Sequence, residues 1–425
     1  MKLKSLLLAG ALAVLALGPA MSAGFLTNGL PVAGSVPLTL PLTGAETVPA
    51  DTNLTQGLNP ASEAITLDQL AGGLGGMLDG SRNKLIGGDF YQNLWQRGTT
   101  GASTTTALLY GADRWWGLSG TGTAFTQAQG TSSPPTGTGA YNRVQRTAAE
   151  TGVVAVCVGQ VLSSANSYSL AGQTVEFSFD ARAGALFSAA NSTITATIAY
   201  GTGANGSAAN FSTGSWTGYA VATAQAIVIG TSFERFSAVA AIPATAAQVG
   251  VKICYTPVGT AGATDYFDFA RAQLAVNPGA VAKTNLAATD TSYSMLGFDA
   301  RQSNVEADLQ RSYYWKLAES ATITPLAACA AIDITHTNCL VQFPVQMRIT
   351  PTITYTAGFA SPTSTTQATL GACSALATAV TVTSATLNPN NVLVTCTATT
   401  IPAAGVASFL YSNGGSGVIQ ASAEL

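Results

Sequence analysis

Nine consecutive residues, Thr-Val-Glu-Phe-Ser-Phe-Asp-Ala-Arg at 174–182, alternate polar and apolar side chains without a break. Successive side chains of a strand point to opposite faces. Val175, Phe177 and Phe179 therefore share one face, and Glu176, Ser178 and Asp180 the other. Residues 192–200 repeat the pattern with Ile194, Ala196, Ile198 and Tyr200, and residues 233–243, 248–256 and 266–276 continue the series. Turn signals separate these runs at regular intervals, as in a β-sandwich or jelly roll.

Composition agrees with an all-β chain. The 425 residues allow two or three domains. Only 9% are charged although 47% are hydrophobic, so the polar surface must come from Thr, Ser, Asn and Gln. Those residues, with 44 glycines, suit short strands joined by many turns. A net charge of −3 supplies no basic field to neutralise phosphates, which argues against a nucleic-acid partner.

The chain divides into five parts. Residues 1–23 carry Lys2 and Lys4, an apolar run from Leu6 to Leu17 and an Ala-Met-Ser-Ala end, the pattern of a secretory signal. Met21 is the alternative start. Residues 24–80 are rich in Pro and Gly and are expected to be an extended segment, with turns at Asp51-Thr52 and Asn59-Pro60. Thr66 can cap a short helix from Leu67 to Leu74. Residues 81–280 form the predicted jelly-roll β-sandwich. Residues 281–316 hold a linker and a helix, with Val305, Leu309 and Tyr313 on one stripe and Ser303 or Asn304 as cap. Residues 317–425 form a second, C-terminal β-sandwich, in which a hairpin is expected around the Asn388-Pro389-Asn390-Asn391 turn.

Six cysteines fall as Cys157 and Cys254 in the first β domain and Cys329, Cys339, Cys373 and Cys396 in the second. The expected bridges are Cys157–Cys254, Cys329–Cys339 and Cys373–Cys396. The last four cysteines allow three connectivities, and six buried thiols are the alternative. Without a C-x-x-C pair, and with His336 the single histidine, no metal site is expected.

Little in the sequence points to catalysis. A Ser-His-Asp or Cys-His mechanism would have to use His336, which reads as a strand residue alongside Ile332 and Ile334. Glycan cleavage needs two facing carboxylates. Asp89, Asp113, Glu176, Asp180, Asp265 and Asp268 show no local pairing pattern, although Asp265 and Asp268 could join a surface cation site. The Gly-rich runs at 72–80 and 201–210 lack a P-loop lysine pattern. No catalytic residue and no cofactor is expected.

From Asn83 the chain reads NKLIGGDFYQNLWQRGTT, and from Leu108 LLYGADRWWGL. This resembles the opening of the jelly-roll module of phage tail-fibre and appendage proteins, N-x-I-x-N-G-D-F-x-x-W-Q-R-G followed by T-A-D-R-W. Gly87 stands where the family has asparagine. FSFDAR, GVKICYT and FDFARAQLAV resemble the strands that close the module, which places its end near Asn277-Pro278-Gly279. The helix is similar to the family's E-x-x-L-C-Q-R-Y-Y segment without its cysteine. LVQFPVQMRITPTITYT resembles a strand pair, and VIQASAEL a terminal strand, of phage fibre C-terminal domains.

The resemblance implies a non-enzymatic virion protein, a homotrimeric tail or head fibre with a carbohydrate-binding-module-like domain. Its partners would be other virion proteins and a host cell-surface glycan. A secreted bacterial glycan-binding protein or adhesin, favoured by the signal-like N-terminus, and a capsid decoration protein are the alternatives. Trp115 occupies the family's Asp-Arg-Trp position and is assigned to the core. Adjacent Trp116 then faces the other way and becomes a candidate ligand contact. Trp216 and Tyr219, on a loop or strand end at 210–220, form the second candidate. Asp113 and Arg114 are expected to fix their turn by a local salt bridge.

Overall fold

The computed structural model describes residues 47–51, 62–66, 82–103, 107–120, 123–285, 292–318, 325–333, 336–356, 359–362, 370–372, 375–381, 391–397, 405, 407–412 and 418–425. The chain splits into two compact units, Met1–Gly80 and Ser81–Leu425. In the first, β1 (Thr47–Asp51) pairs antiparallel with β2 (Ser62–Thr66), so part of the segment expected to be extended is a strand pair. The signal-like residues 1–23 and the expected helix from Leu67 lie outside the described residues.

The second unit opens with β3 (Thr100–Ser103), β4 (Leu109–Tyr110), β5 (Trp116–Ser119), β6 (Phe125–Gly130), β7 (Tyr141–Arg146), β8 (Val156–Val161), β9 (Thr174–Ala183) and β10 (Thr193–Gly201). After α1 (Ala208–Thr213) come β11 (Ala220–Val228), β12 (Glu234–Ala241), β13 (Gln248–Tyr255) and β14 (Tyr266–Val276). They form two six-stranded antiparallel sheets. The first runs β11-β10-β13-β8-β5-β4 and the second β12-β9-β14-β7-β6-β3. Between them Val175, Phe177 and Phe179 of β9 meet Ile194, Ala196 and Ile198 of β10 in one fully buried core, as the alternation requires. Burying each large apolar side chain contributes roughly 1.5–3 kcal/mol. Trp115 and Trp95 belong to this core, and Phe90 lies 5.6 Å from Trp115 and 6.2 Å from Trp95 between ring centroids.

After the sandwich, residues 292–302 run along the outer face of the second sheet. The Leu296 amide and the Asn277 side chain donate to Glu176, and the Asp299 amide donates to Gln273. Then comes α2 (Ser303–Arg311), whose orientation differs from the expectation. Val305 is 44% exposed, while Glu306 and Gln310 are the buried residues of the helix. Glu306 accepts from the Gly87 amide and pairs with Arg301, and Arg301 also donates to the carbonyls of Asn83 and Leu85. Gln310 accepts from the Leu94 amide and donates to the Gln92 carbonyl. The buried surface is exposed backbone of the 83–96 loop, which needs donors and acceptors rather than methyl groups. Gln302, not Ser303 or Asn304, holds the cap position, and no side-chain cap bond forms.

β15 (Tyr314–Ala318), β16 (Pro325–Ala331), β17 (His336–Gln342), β18 (Thr352–Thr356), β19 (Phe359–Pro362), β20 (Leu370–Ala372), β21 (Ala375–Thr381), β22 (Asn391–Thr397), β23 (Ala407–Ser412) and β24 (Val418–Ser422) build the rest. A three-stranded sheet, β15-β24-β18, and a seven-stranded sheet, β20-β19-β23-β16-β17-β22-β21, share a core. Trp315, Ile419 and Ala421 come from one sheet and Cys339, Val341 and Leu410 from the other. β21 and β22 pair antiparallel, and residues 382–390, which hold most of the turn expected between them, lie outside the described residues. β17 and β18, expected to be a strand pair, lie in different sheets.

Two expected disulfides are formed, each between facing residues of paired strands: Cys157–Cys254 across β8 and β13, and Cys329–Cys339 across β16 and β17. The Cys373–Cys396 bridge lies outside the described residues and side chains.

Candidate binding groove on the second sheet

The aromatic residues singled out as ligand contacts are packed away. Trp116 does face opposite to Trp115, but that side of the first sheet is roofed and Trp116 is fully buried. The roof is the β10–β11 connection. Ser207 accepts from the Asn210 amide to start α1, and Gly214, with φ of 72°, ends it. Phe211 of α1 lies 5.9 Å from Trp116 between centroids. Trp216 is 5% exposed and donates its Nε1–H to the Ser207 carbonyl at 2.9 Å. Tyr219 is half-buried and packs on Phe211 and Trp216. Gly159 and Gly250 make room beneath, since a Cβ there would come 2.6 Å from the rings of Trp116 and Phe211. Strand alternation gives the direction of Trp116 but not the cover, which comes from residues about a hundred positions later.

Asp113 and Arg114 do not pair with each other. Asp113 accepts from the Gln96 amide at 3.2 Å and the Gln96 side chain at 3.0 Å, and lies 3.4 Å from Arg97. Burial outweighs Arg97 and raises its carboxyl to about 6. Arg114 pairs with Glu424, donates to the Val161 carbonyl at 2.7 Å and stacks 3.7 Å from the centre of Tyr313. The Asn83–Trp116 stretch thus receives α2 on its backbone, and β15 and the residues after β24 around Arg97, Asp113 and Arg114. His336 opens β17 and lies 2.8 Å from Asp333 in a local turn.

Of the remaining candidate carboxylates, Asp180, Asp265 and Asp268 are buried in ion pairs, while Asp89 and Glu176 are buried against neutral donors. Asp265 binds Arg146 at 2.8 Å, with both side chains fully buried. Asp268, expected at the surface, is fully buried. Among the described residues no group of His, Cys, Asp and Glu is placed to hold a metal ion.

The open part of the molecule lies on the outer face of the second sheet, at the end where β9 finishes and β12 and β14 begin. Asp180, Arg182, Arg235, Asp268 and Arg143 occupy outward positions on four adjacent strands. Asp268 is gripped by Arg143, at 2.8 and 3.0 Å, and by Arg182 at 2.8 Å. Asp180 is held by Arg235 at 3.4 Å and by Arg271. Two open hollows result, of ≈ 430 and ≈ 440 Å³. Arg182 separates them and reaches across to the Ser132 and Ser133 carbonyls at 3.2 Å. The loop it ties down continues with Pro134-Pro135, whose fixed φ stiffens the wall. Phe233 edges one hollow and Tyr266 the other, both half-buried, with guanidinium groups 4.4 and 3.6 Å from their centres.

Arg271 reaches this face through an irregularity. Between Ala270 and Gln273 β14 spends one residue more than its partner β9, a β-bulge, and Arg271 lies there at φ 46°. A non-glycine residue in that region is strained. Gly88 pins the bulge: its carbonyl accepts from the Ala272 amide at 3.0 Å, and a Cβ on it would come 2.2 Å from the Ala272 carbonyl oxygen.

Both oxygens of Asp180 and of Asp268 accept from guanidinium groups, so neither carboxylate stands unpaired in the groove. No local pattern in the sequence brings these residues together. The available signal was arginine at the polar positions of three alternating runs, Arg143, Arg182 and Arg235, in a chain with few charges.

No protein-family model and no curated protein matches the sequence. Among solved structures, the enzymatically active domain of tailspike protein 4 from bacteriophage CBA120 is similar at 12% identity and a TM-score of 0.29, over 47% of this chain and 22% of that one. The C-terminal family 22 carbohydrate-binding module of a Clostridium thermocellum protein is similar at 20% identity and a TM-score of 0.24, over 37% of this chain and 84% of that one. The carbohydrate-binding module TmCBM61, in complex with β-1,4-galactotriose, is similar at 10% identity and a TM-score of 0.27, over 46% of this chain and all of its own. Likenesses this slight carry no weight for function.

Proposed function

We propose that this chain is a non-catalytic binding protein whose groove on the second sheet takes a saccharide, and that it serves as a fibre or appendage of a phage virion. The observation that supports binding is the groove itself. It is open, walled by a stiffened loop, edged by Phe233 and Tyr266, and floored by fixed guanidinium donors. Apolar sugar faces pack on rings while hydroxyls need fixed polar partners. The gripped carboxylates favour binding over hydrolysis. The virion role rests on the ordered sequence resemblance that begins at Asn83, and homotrimer formation and host attachment belong to the same reading. A secreted bacterial glycan-binding protein is the second reading, favoured by Lys2, Lys4 and the apolar run from Leu6 to Leu17.

A glycan array tests binding. The expected result is glycan capture by the folded protein that Tyr266→Ala reduces about tenfold or more while the melting temperature holds. Capture unaffected by Tyr266→Ala together with Arg143→Ala would remove the groove from consideration. Imaging of phage particles labelled through this chain tests the virion role, and particles without label would favour the secreted reading.

A further inference from the structure

The groove carries more positive charge than its structure consumes. Four arginines, Arg143, Arg182, Arg235 and Arg271, face two carboxylates, Asp180 and Asp268, and a third carboxylate lining the Arg271 hollow, Glu234, is paired with Lys283. The chain has 17 basic residues in 425, so placing four on one end of one sheet is a concentrated use of them. Their donors are not equally engaged. Arg182 engages all three of its nitrogens, with Nε on Asp268 and both terminal nitrogens on loop carbonyls. Arg235 spends its terminal nitrogens on Asp180, Ser178 and the Arg271 carbonyl. Arg271 uses only Nε, on Asp180, and Arg143 uses Nε and one terminal nitrogen. Among the described residues, both terminal nitrogens of Arg271 and Nη1 of Arg143 have no hydrogen-bond acceptor.

These unspent donors lie on opposite sides of the Arg182 strut. Arg271 lines one hollow and Arg143 the other. The strained bulge at Arg271 delivers a cation to a face that the regular strand would have given it no place on. Backbone strain of this kind persists where surrounding structure enforces it, and Gly88 provides that support.

We propose that the groove selects an acidic oligosaccharide, one bearing carboxylates on more than one sugar, with one carboxylate met by the terminal fork of Arg271 and another by Arg143. A guanidinium fork takes a planar carboxylate through two parallel hydrogen bonds. The proposal rests on the reading of the groove as a saccharide site and narrows its ligand class. Asp180 and Asp268 hold the two guanidinium planes in place, so the ligand meets cations that need no reorganisation.

Titration calorimetry of the whole chain with a uronate tetrasaccharide, its carboxyl-reduced neutral form and a sulfated neutral tetrasaccharide tests this. The acidic form is expected to bind at least about tenfold more tightly than the reduced form, with affinity falling as salt rises from about 0.05 to 0.5 M. Arg271→Ala is expected to cost the acidic ligand about 10- to 100-fold while changing the neutral one little, with Arg271→Lys recovering part of the loss. The ligand and salt comparisons need no variant, so they decide the matter even if Arg271→Ala does not fold. Equal binding of the acidic and reduced forms would overturn the acidic preference and leave saccharide binding standing. Tighter binding of the sulfated form would overturn the carboxylate assignment. Binding of none of the three would overturn both this proposal and the saccharide reading beneath it.

Discussion

Asp113 works against stability at neutral pH. Its carboxyl titrates near 6 in the folded protein because burial disfavours the charged form more than Arg97 favours it, against 3.8 for the ordinary group. Between those two values the folded state holds more protons than the unfolded state, so stability falls as pH rises from about 4 to about 6 and is then level. Lowering the pH from 7 to 5 should therefore return about 1 kcal/mol from this residue. Burial also raises Asp89 and Glu176, which push the same way. Urea midpoints at pH 5 and pH 7 check this: the midpoint should be higher at pH 5, and Asp113→Asn should flatten the difference. A midpoint that drops on acidification would show that exposed carboxylate pairs dominate instead. At this scale the sequence was legible for direction and not for partners. The resemblance puts Trp115 inward, and alternation then turns Trp116 to the other face. That Trp116 meets Phe211, or that Arg114 meets Glu424 across 310 positions, is set by tertiary packing that no local window contains.

The Gly87-Gly88 pair shows how an element inherits a constraint from elsewhere. Gly87 has φ of 67°, a left-handed position that glycine takes freely and asparagine tolerates, which accounts for either residue at this place in the pattern. Gly88 is glycine for a different reason, the close approach of the Ala272 carbonyl. Gly88→Ala should cost roughly 1–3 kcal/mol through overpacking, and should displace the bulge that presents Arg271. Differential scanning calorimetry reads the first effect and the acidic-saccharide titration the second; an unchanged melt with unchanged affinity would mean that the bulge is not pinned there. The strands themselves were readable because their faces differ: β9 alternates cleanly since one side meets a core and the other does not. α2 misled for the same physical reason in reverse. Of its expected stripe of Val305, Leu309 and Tyr313, Tyr313 is buried just past the helix but Val305 is exposed, because the helix lies on the polar backbone of a loop and turns Glu306 and Gln310 inward.

Across the whole Ser81–Leu425 unit, residues near its two ends complete each other. Glu424 pairs with a nearly fully buried Arg114, and Gln96 joins Asp113 to β15 through the Tyr314 carbonyl and the Lys316 amide. Removing one partner of a buried pair typically costs roughly 3–5 kcal/mol, because the other charge stays buried. Glu424→Ala should therefore lower the melting temperature of the sandwich as well as of the C-terminal sheets, and the Arg114→Ala, Glu424→Ala double variant should lose less than the sum of the single losses. Loss of the C-terminal transition alone would show the two sandwiches to be independent. The all-β class and the order of strands were visible in alternation and turn spacing. The bonding between the halves was not, because Gly87 and Glu306 stand 219 positions apart.

That separation bears on how such a chain can be inherited. Residues 83–114 are a socket, and Arg301, Glu306, Gln310, Tyr313 and Glu424 are its plug. A recombination that exchanged the first sandwich alone, cut at the Pro-Gly after β14, would pair a foreign socket with a resident plug and strand charges on both sides. Shuffling is conservative only if both pieces travel together or if the donor carries the same polar set.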